Sequence, residues 1–256
     1  MGHGGSMNNR KIILITGASR GIGTATAKLA ADRGYRVCIN YRQNAEAAQT
    51  LIQDLRRTGA EVAAFQADVS IEAEVVRMFE AIDAQFGPIS VLINNAGMLE
   101  RQMAVADMSA ERLVRVFATN VIGSVLCARE AIARMSTRRG GQGGSIVNLS
   151  SMAARLGSPN EYVDYAAAKG AIDTFTIGLA KEVALDGIRV NAVRPGLIYT
   201  DMHASGGEPG RIERLKDSVP LKRGGQPEEV ANAILWLASD EASYTTGTFI
   251  DVSGGR

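Results

Sequence analysis

From Lys11 onward the chain alternates short β-branched runs with longer stretches whose apolar residues recur at helical spacing. The strand-like runs cover Lys11 to Thr16, Arg36 to Asn40, Val62 to Gln66, Val91 to Asn94, Ser145 to Leu149, Arg189 to Val193 and Thr248 to Asp251. Parallel neighbours need a crossover of helix length, so this rhythm makes βαβ units with helices on both sheet faces. The expected architecture is α/β: one doubly wound domain over residues 10–256 with a seven-stranded parallel sheet. Glycine and proline punctuate it. The helix from Ala45 to Arg57 runs into Gly59, and that from Glu72 to Phe86 into Gly87-Pro88. After the sixth strand the rhythm breaks over Asp201 to Asp217, which carries Gly206, Gly207, Pro209 and Gly210. That segment follows a carboxyl strand end, where open α/β sheets place ligands, and is the candidate substrate lid.

Composition narrows the function. With 256 residues, 46% hydrophobic and 21% charged, the chain can bury a large core. Its 28 basic and 27 acidic residues almost cancel, leaving no global field to gather nucleic acid or an anionic membrane surface. Apolar runs fall short of the roughly 20 residues of a membrane span, so no membrane partner is expected. Cys38 and Cys127 lie far apart in apolar stretches, which suits buried reduced thiols in a cytoplasmic protein. With only His3 and His203 available, no metal cluster is expected. Residues 1–9, which include His3, read as a flexible leader.

The first strand runs straight into Thr16-Gly17-Ala18-Ser19-Arg20-Gly21-Ile22-Gly23, followed by a helix. Glycines there allow a tight turn and let a pyrophosphate approach the helix N-terminus, whose free N–H groups favour anions. The spacing is G-x-x-x-G-x-G, and the strand-then-helix context supports a dinucleotide site. At the end of the second strand a carboxylate would accept hydrogen bonds from a ribose 2′-hydroxyl. The chain has Asn40-Tyr41-Arg42 instead. Arg42 and Arg20 suit a 2′-phosphate, so NADP(H) is favoured, NAD(H) remaining possible; each arginine alone would also pass as a solvated surface charge.

Tyr165 and Lys169 stand four residues apart in a helical segment, so their heads share one face. A lysine ammonium stabilises a phenolate, whose ordinary pKa is about 10, and makes Tyr165 a candidate general acid or base. Ser151, at the end of the fifth strand beside Ser150, could hydrogen-bond a substrate oxygen. The fourth strand ends in Asn94-Asn95-Ala96-Gly97, small residues past which a cofactor can approach. Asn120 interrupts an apolar helical run and either bridges backbone groups or holds a water behind Lys169.

Taken together, these motifs resemble the short-chain dehydrogenase/reductase family in its form with a single Rossmann-like domain, over Lys11 to Gly255. The resemblance includes Asp68-Val69 and Pro195-Gly196 leading to Thr200. It implies that Tyr165 is the acid/base, that Ser151 binds the substrate oxygen, that Lys169 also binds the nicotinamide ribose and that Asn120 keeps a relay water. It further implies adenine contacts from Asp68 and Val69, carboxamide contacts from Ile198 and Thr200, and a homotetramer or homodimer using the segment Tyr244 to Gly255.

The reaction so implied interconverts a carbonyl and an alcohol on a small-molecule substrate, with Tyr199, Met202 and His203 as candidate substrate contacts. Within the family the chain looks most like bacterial glucose-dehydrogenase-like and 3-oxoacyl-carrier-protein-reductase-like members. Arg138 and Arg139 could hold an acidic carrier, which Asp186 would oppose. A cofactor sensor or an interaction protein on the same fold would not need Ser151, Tyr165, Lys169 and Asn120 together.

Overall fold

The computed structural model describes residues 10–256, and the expected leader lies outside them. Seven strands form one sheet: β1 (Ile12–Ile15), β2 (Arg36–Tyr41), β3 (Val62–Gln66), β4 (Val91–Asn94), β5 (Gly144–Leu149), β6 (Ile188–Pro195) and β7 (Phe249–Val252). Their order is β3-β2-β1-β4-β5-β6-β7 and every pairing is parallel, as the βαβ rhythm predicts. The strand order reverses between β1 and β4, which opens a crevice at their carboxyl ends.

The helices are α1 (Gly21–Asp32), α2 (Ala45–Arg57), α3 (Glu72–Phe86), α4 (Ala110–Phe117), α5 (Gly123–Met135), α6 (Ala153–Leu156), α7 (Val163–Glu182), α8 (Met202–Ser205), α9 (Arg211–Leu215) and α10 (Pro227–Ala238). Local chemistry sets several boundaries. Asn44 caps α2 by accepting from Ala47 N–H, and Gln226 with Glu229 forms a capping box for α10 ahead of Pro227. Gly87, at a φ of 91°, stops α3 where an L side chain would be strained.

Alternation along the strands divides the core between two layers. Ile13, Ile15, Val37, Ile39 and Ile93 point to the side covered by α1, α2 and α10, where Ala27, Leu51 and Ile234 meet them. Leu14, Cys38, Leu92, Ile146 and Val190 point to the side covered by α3, α5 and α7, against Phe79, Cys127 and Leu179.

Helices α4 and α5 are joined by a π-helical turn, Ala118–Ile122, into one stretch from Ala110 to Met135. Its 26 residues and an apolar window of mean hydropathy 1.4 pass for a membrane span by length and composition, which corrects the expectation that apolar runs fall short. Here Val116, Cys127, Ala131 and Met135 are buried in the domain, the pattern of a helix packed on a sheet.

Candidate active site

The glycine turn after β1 closes against the loop after β4. Thr16 Oγ1 accepts from the N–H groups of Asn95 and Ala96, both at 3.0 Å. A Cβ on Gly17 (φ 62°) would lie 2.8 Å from Ala96 Cα, and one on Gly23 would lie 2.6 Å from Asn95 Nδ2, so side chains are excluded at both. Gly23 therefore serves the turn from behind, whereas Gly17, Ser19, Arg20, Gly21 and Ile22 line a cleft of about 350 Å³. Arg20, the N-cap of α1, makes no side-chain cap bond among the described residues, so the first-turn N–H groups remain available to an anion. A dinucleotide pyrophosphate fits this cradle. Arg42, Asp68, Val69, Ala96, Gly97 and Thr200 complete the lining of this cleft.

Two expected contacts lie elsewhere. Tyr41 shares the face of Val37 and Ile39 and is buried in the core, so strand alternation turns Asn40 toward the cleft in its place. Asn40 Oδ1 accepts from Gly17 N–H at 3.2 Å, and its Nδ2 donates to Ala67 O at 3.0 Å. Asn94 is buried in the sheet, donating to Asn148 Oδ1 at 2.9 Å and to Ser124 O at 3.1 Å. Its neighbour Asn95 lines the cleft, with Nδ2 donating to the carbonyls of Thr16 and Gly17.

A second cleft, about 450 Å³, continues from the first past Ile22, Asn95, Gly97, Thr200 and Met202. Ser151, Tyr165 and Lys169 converge on it, and Pro195, Gly196 and Ile198 line it too. Lys169 Nζ donates to Leu149 O at 2.6 Å and sits 5.5 Å from the centre of the Tyr165 ring. Both Ser150 and Ser151 line the cleft, but the Ser150 hydroxyl is buried and committed to Lys169 O at 3.2 Å, tying β5 to α7. Ser151 Oγ accepts from Ala153 N–H at 3.1 Å and lies close enough to the Tyr165 phenol to favour its ionised form.

The electrostatics correct one expectation. Burial pushes the Tyr165 phenol up to about 12, and the nearby Ser151 only partly opposes this. Burial likewise pushes Lys169 down to about 8, against the pull of Asp173. Desolvation disfavours both charged forms here, outweighing the phenolate stabilisation expected from Lys169, whose ammonium is bonded to a carbonyl. Asn120 lies in the π-helical turn and takes the bridging alternative: Oδ1 accepts from Met98 N–H at 3.1 Å, and Nδ2 donates to the carbonyls of Met98 and Val116. Such turns recur at functional sites.

The family profile described as enoyl-(acyl carrier protein) reductase matches residues 17–256. The chain is 59% identical to an uncharacterized oxidoreductase, YgfF, of Escherichia coli over 96% of this chain and 99% of that one. It belongs to the short-chain dehydrogenase/reductase family. It is also 37% identical to the 3-oxoacyl-[acyl-carrier-protein] reductase FabG of Staphylococcus aureus, over 97% of this chain and 99% of that one. An uncharacterized oxidoreductase of Methylorubrum extorquens matches at 37% over 96% and 97% of the two chains. The chain is thus an oxidoreductase, and its family implies a nicotinamide cofactor.

In this short-chain dehydrogenase/reductase the segment expected to form a lid carries α8 and α9. Met202 and His203 line that cleft, whereas Tyr199 turns its hydroxyl to Glu213 Oε1 at 3.3 Å, outside it. Burial, helped by Arg211, pushes the His203 pKa down, so it is neutral at physiological pH. This segment is tied to the residues before α7 through Glu161 and Tyr162. Tyr162 donates its hydroxyl proton to Gly206 O at 3.2 Å, and Arg211 pairs with Glu161 and Glu208. Arg214 pairs with the same two carboxylates at 3.2 and 2.5 Å. The Glu208 pairs are local to this segment; those with Glu161, some 50 residues away in sequence, leave no local pattern to read. Cys38 and Cys127 are free and buried, with burial pushing both thiols up to about 12. Among the described residues no group of three or more His, Cys, Asp or Glu could hold a metal.

Proposed function

We propose that this oxidoreductase interconverts a carbonyl and a secondary alcohol with NADP(H), using Tyr165 as general acid and base. The observation that carries the reading is the convergence of Ser151, Tyr165 and Lys169 on a cleft continuous with the glycine cradle. The nicotinamide, when bound, supplies or accepts the hydride. Ser151 holds the substrate oxygen beside the Tyr165 hydroxyl. Tyr165, kept protonated at neutral pH by its burial, gives that oxygen a proton during reduction and takes one back during oxidation. Lys169 binds the nicotinamide ribose and places a proton-bearing group next to the phenol. Asn120 holds Met98, and with it the Gly97 approach; a Cβ at Gly97 would lie 2.9 Å from Asn120 Oδ1.

NADP(H) is supported by the rim of the first cleft. The β2 end offers Asn40, Arg42, Gln43 and Asn44 rather than a carboxylate. Arg42 is half-exposed and its ion pair with Asp68 spans 3.5 Å, long for a charge-assisted hydrogen bond, so the guanidinium can turn to a 2′-phosphate. The substrate is a small or medium polar carbonyl or alcohol, since the second cleft is bounded by the segment carrying α8 and α9 and walled at one end by Glu161, Tyr162, His203 and Arg211. A sugar-type substrate fits the same wall. Likeness to FabG favours a narrower reading, an acyl-carrier-protein substrate, but Arg138 is engaged by Asp186 at 3.0 Å rather than free for an acidic partner.

The balanced charge supports neither a nucleic-acid nor a membrane partner, and two unpaired buried thiols suit the cytoplasm. A homotetramer or homodimer is supported by Val114, Ile122 and Val125 exposed along α4 and α5, and by Tyr244 fully exposed near β7. A panel of carbonyls and alcohols, sugars and acyl thioesters included, followed by NADPH absorbance and repeated with Tyr165→Phe, tests the function. Turnover that survives in Tyr165→Phe would overturn it.

A further inference from the structure

The chemistry above makes no use of a buried ion pair between α4 and α7. Arg112 and Asp164 have side chains only 5% and 1% exposed. Arg112 Nε donates to Asp164 Oδ2 at 2.7 Å, Nη2 to Oδ1 at 3.3 Å, and Nη1 to the carbonyl of Arg101 at 2.6 Å. Asp164 Oδ1 also accepts from the backbone N–H of Tyr165 at 2.9 Å. Tyr162, the N-cap of α7, makes no side-chain cap bond among the described residues. Asp164 therefore gives this first turn an acceptor, and a negative charge at the positive end of the helix dipole. A carboxylate so deeply buried is costly unless paired, and Arg112 is its pair.

The same guanidinium reaches the opposite wall of the cleft. The loop following β4, residues 98–103, contributes Leu99 to the lining. Asn120 holds this loop at Met98, Arg112 holds it at Arg101, and Met103 N–H donates to Glu161 O at 3.1 Å. One side chain thus spans the helix turn that carries Tyr165 and the wall facing it.

We propose that Arg112, acting through Asp164, is a positioning residue for the reaction, fixing the first turn of α7 so that the Tyr165 hydroxyl meets Ser151 and the substrate oxygen. The proposal rests on the acid/base reading of Tyr165. Proton transfer needs hydrogen-bonding reach, and a misplacement of about 1 Å costs on the order of 10²-fold. The glycine cradle is built on β1 and α1, and Lys169 is held separately by Leu149 O of β5, so cofactor affinity should change far less than kcat.

The test is a paired variant, Arg112→Met with Asp164→Leu, which buries no unpaired charge. NADPH affinity is measured by fluorescence, and kcat, KM and the pH–rate profile are measured with diacetyl as the first carbonyl probe and the best carbonyl of the panel thereafter. The expected result is NADPH affinity within about twofold of the parent, kcat lower by roughly tenfold or more, and a smaller change in KM. Parental kcat and pH profile in the paired variant overturn the proposal. Should that variant not fold, Arg112→Lys, which keeps the charge but loses the planar fork, decides: kcat reduced about threefold or more with NADPH affinity intact supports the proposal, and parental kcat overturns it. Tyr165→Phe in the same assay separates the two claims. If it retains turnover, the acid/base reading itself fails; if it is inactive while the paired variant is fully active, only the positioning claim fails.

Discussion

Replacing Arg42 by alanine asks whether the rim of the first cleft recognises a 2′-phosphate. In the structure Arg42 faces Asp68 across 3.5 Å, with the two side chains 51% and 21% exposed. A pair so open to solvent is worth under about 1 kcal/mol, so turning from it toward a phosphate costs little. A charge-assisted hydrogen bond to the phosphate contributes about 1.5–3 kcal/mol before that cost is subtracted. The net loss expected in Arg42→Ala is therefore about 0.5–3 kcal/mol, or roughly a two- to 150-fold rise in the Kd of NADPH. NADH lacks the phosphate, and its Kd should move by less than about twofold. Asp68 remains in the cleft of the variant and adds repulsion of the same sign. Calorimetric titration with both cofactors at low and high salt reads all of this, because salt should weaken NADPH binding to the parent more than to the variant. Equal losses for NADPH and NADH would refute the reasoning and leave Arg42 a surface charge.

Two further outcomes follow from the geometry. Gly17→Ala should lower stability by about 1–3 kcal/mol and abolish NADPH binding, because its Cβ meets backbone at 2.8 Å. Gly34→Ala, also at positive φ but in open space, isolates the backbone term; equal thermal shifts in the two would show that the contact with Ala96 is unimportant. Lys169 has a folded pKa of about 8 against 10.5 for the free side chain, so its burial destabilises the fold fully below pH 8 and progressively less as pH rises to 10.5. Denaturation of the cofactor-free protein should therefore show Lys169→Met gaining stability relative to the parent near pH 7 and losing that advantage near pH 10. A difference that does not change with pH would contradict the assignment.

The layered fold was legible because alternation and helical period are local properties. The strand order of the sheet follows once βαβ units are recognised, although β6 extends to Pro195, beyond its β-branched run. Within the site, the glycine turn, Ser151, Tyr165 and Lys169 were readable from spacing and strand ends. Tyr41 was misplaced although its signal was present, since it keeps the parity of Val37 and Ile39. Asn94 and Asn95 differ only in which one remains in register with the sheet, opposite Asn148. The pairs of Glu161 with Arg211 and Arg214, and the pair Arg112–Asp164, join segments remote in sequence and were invisible. The direction of the Tyr165 shift was also beyond reach, because desolvation depends on what packs around a group rather than on its neighbours along a helix.

The central claim, that Tyr165 transfers the proton, is tested most directly by single-turnover reduction of an active carbonyl by NADPH in Tyr165→Phe. NADPH affinity is expected to stay within about twofold of the parent while the rate falls by roughly 10²- to 10⁴-fold. A variant that binds NADPH and reduces the carbonyl at the parental rate would contradict it.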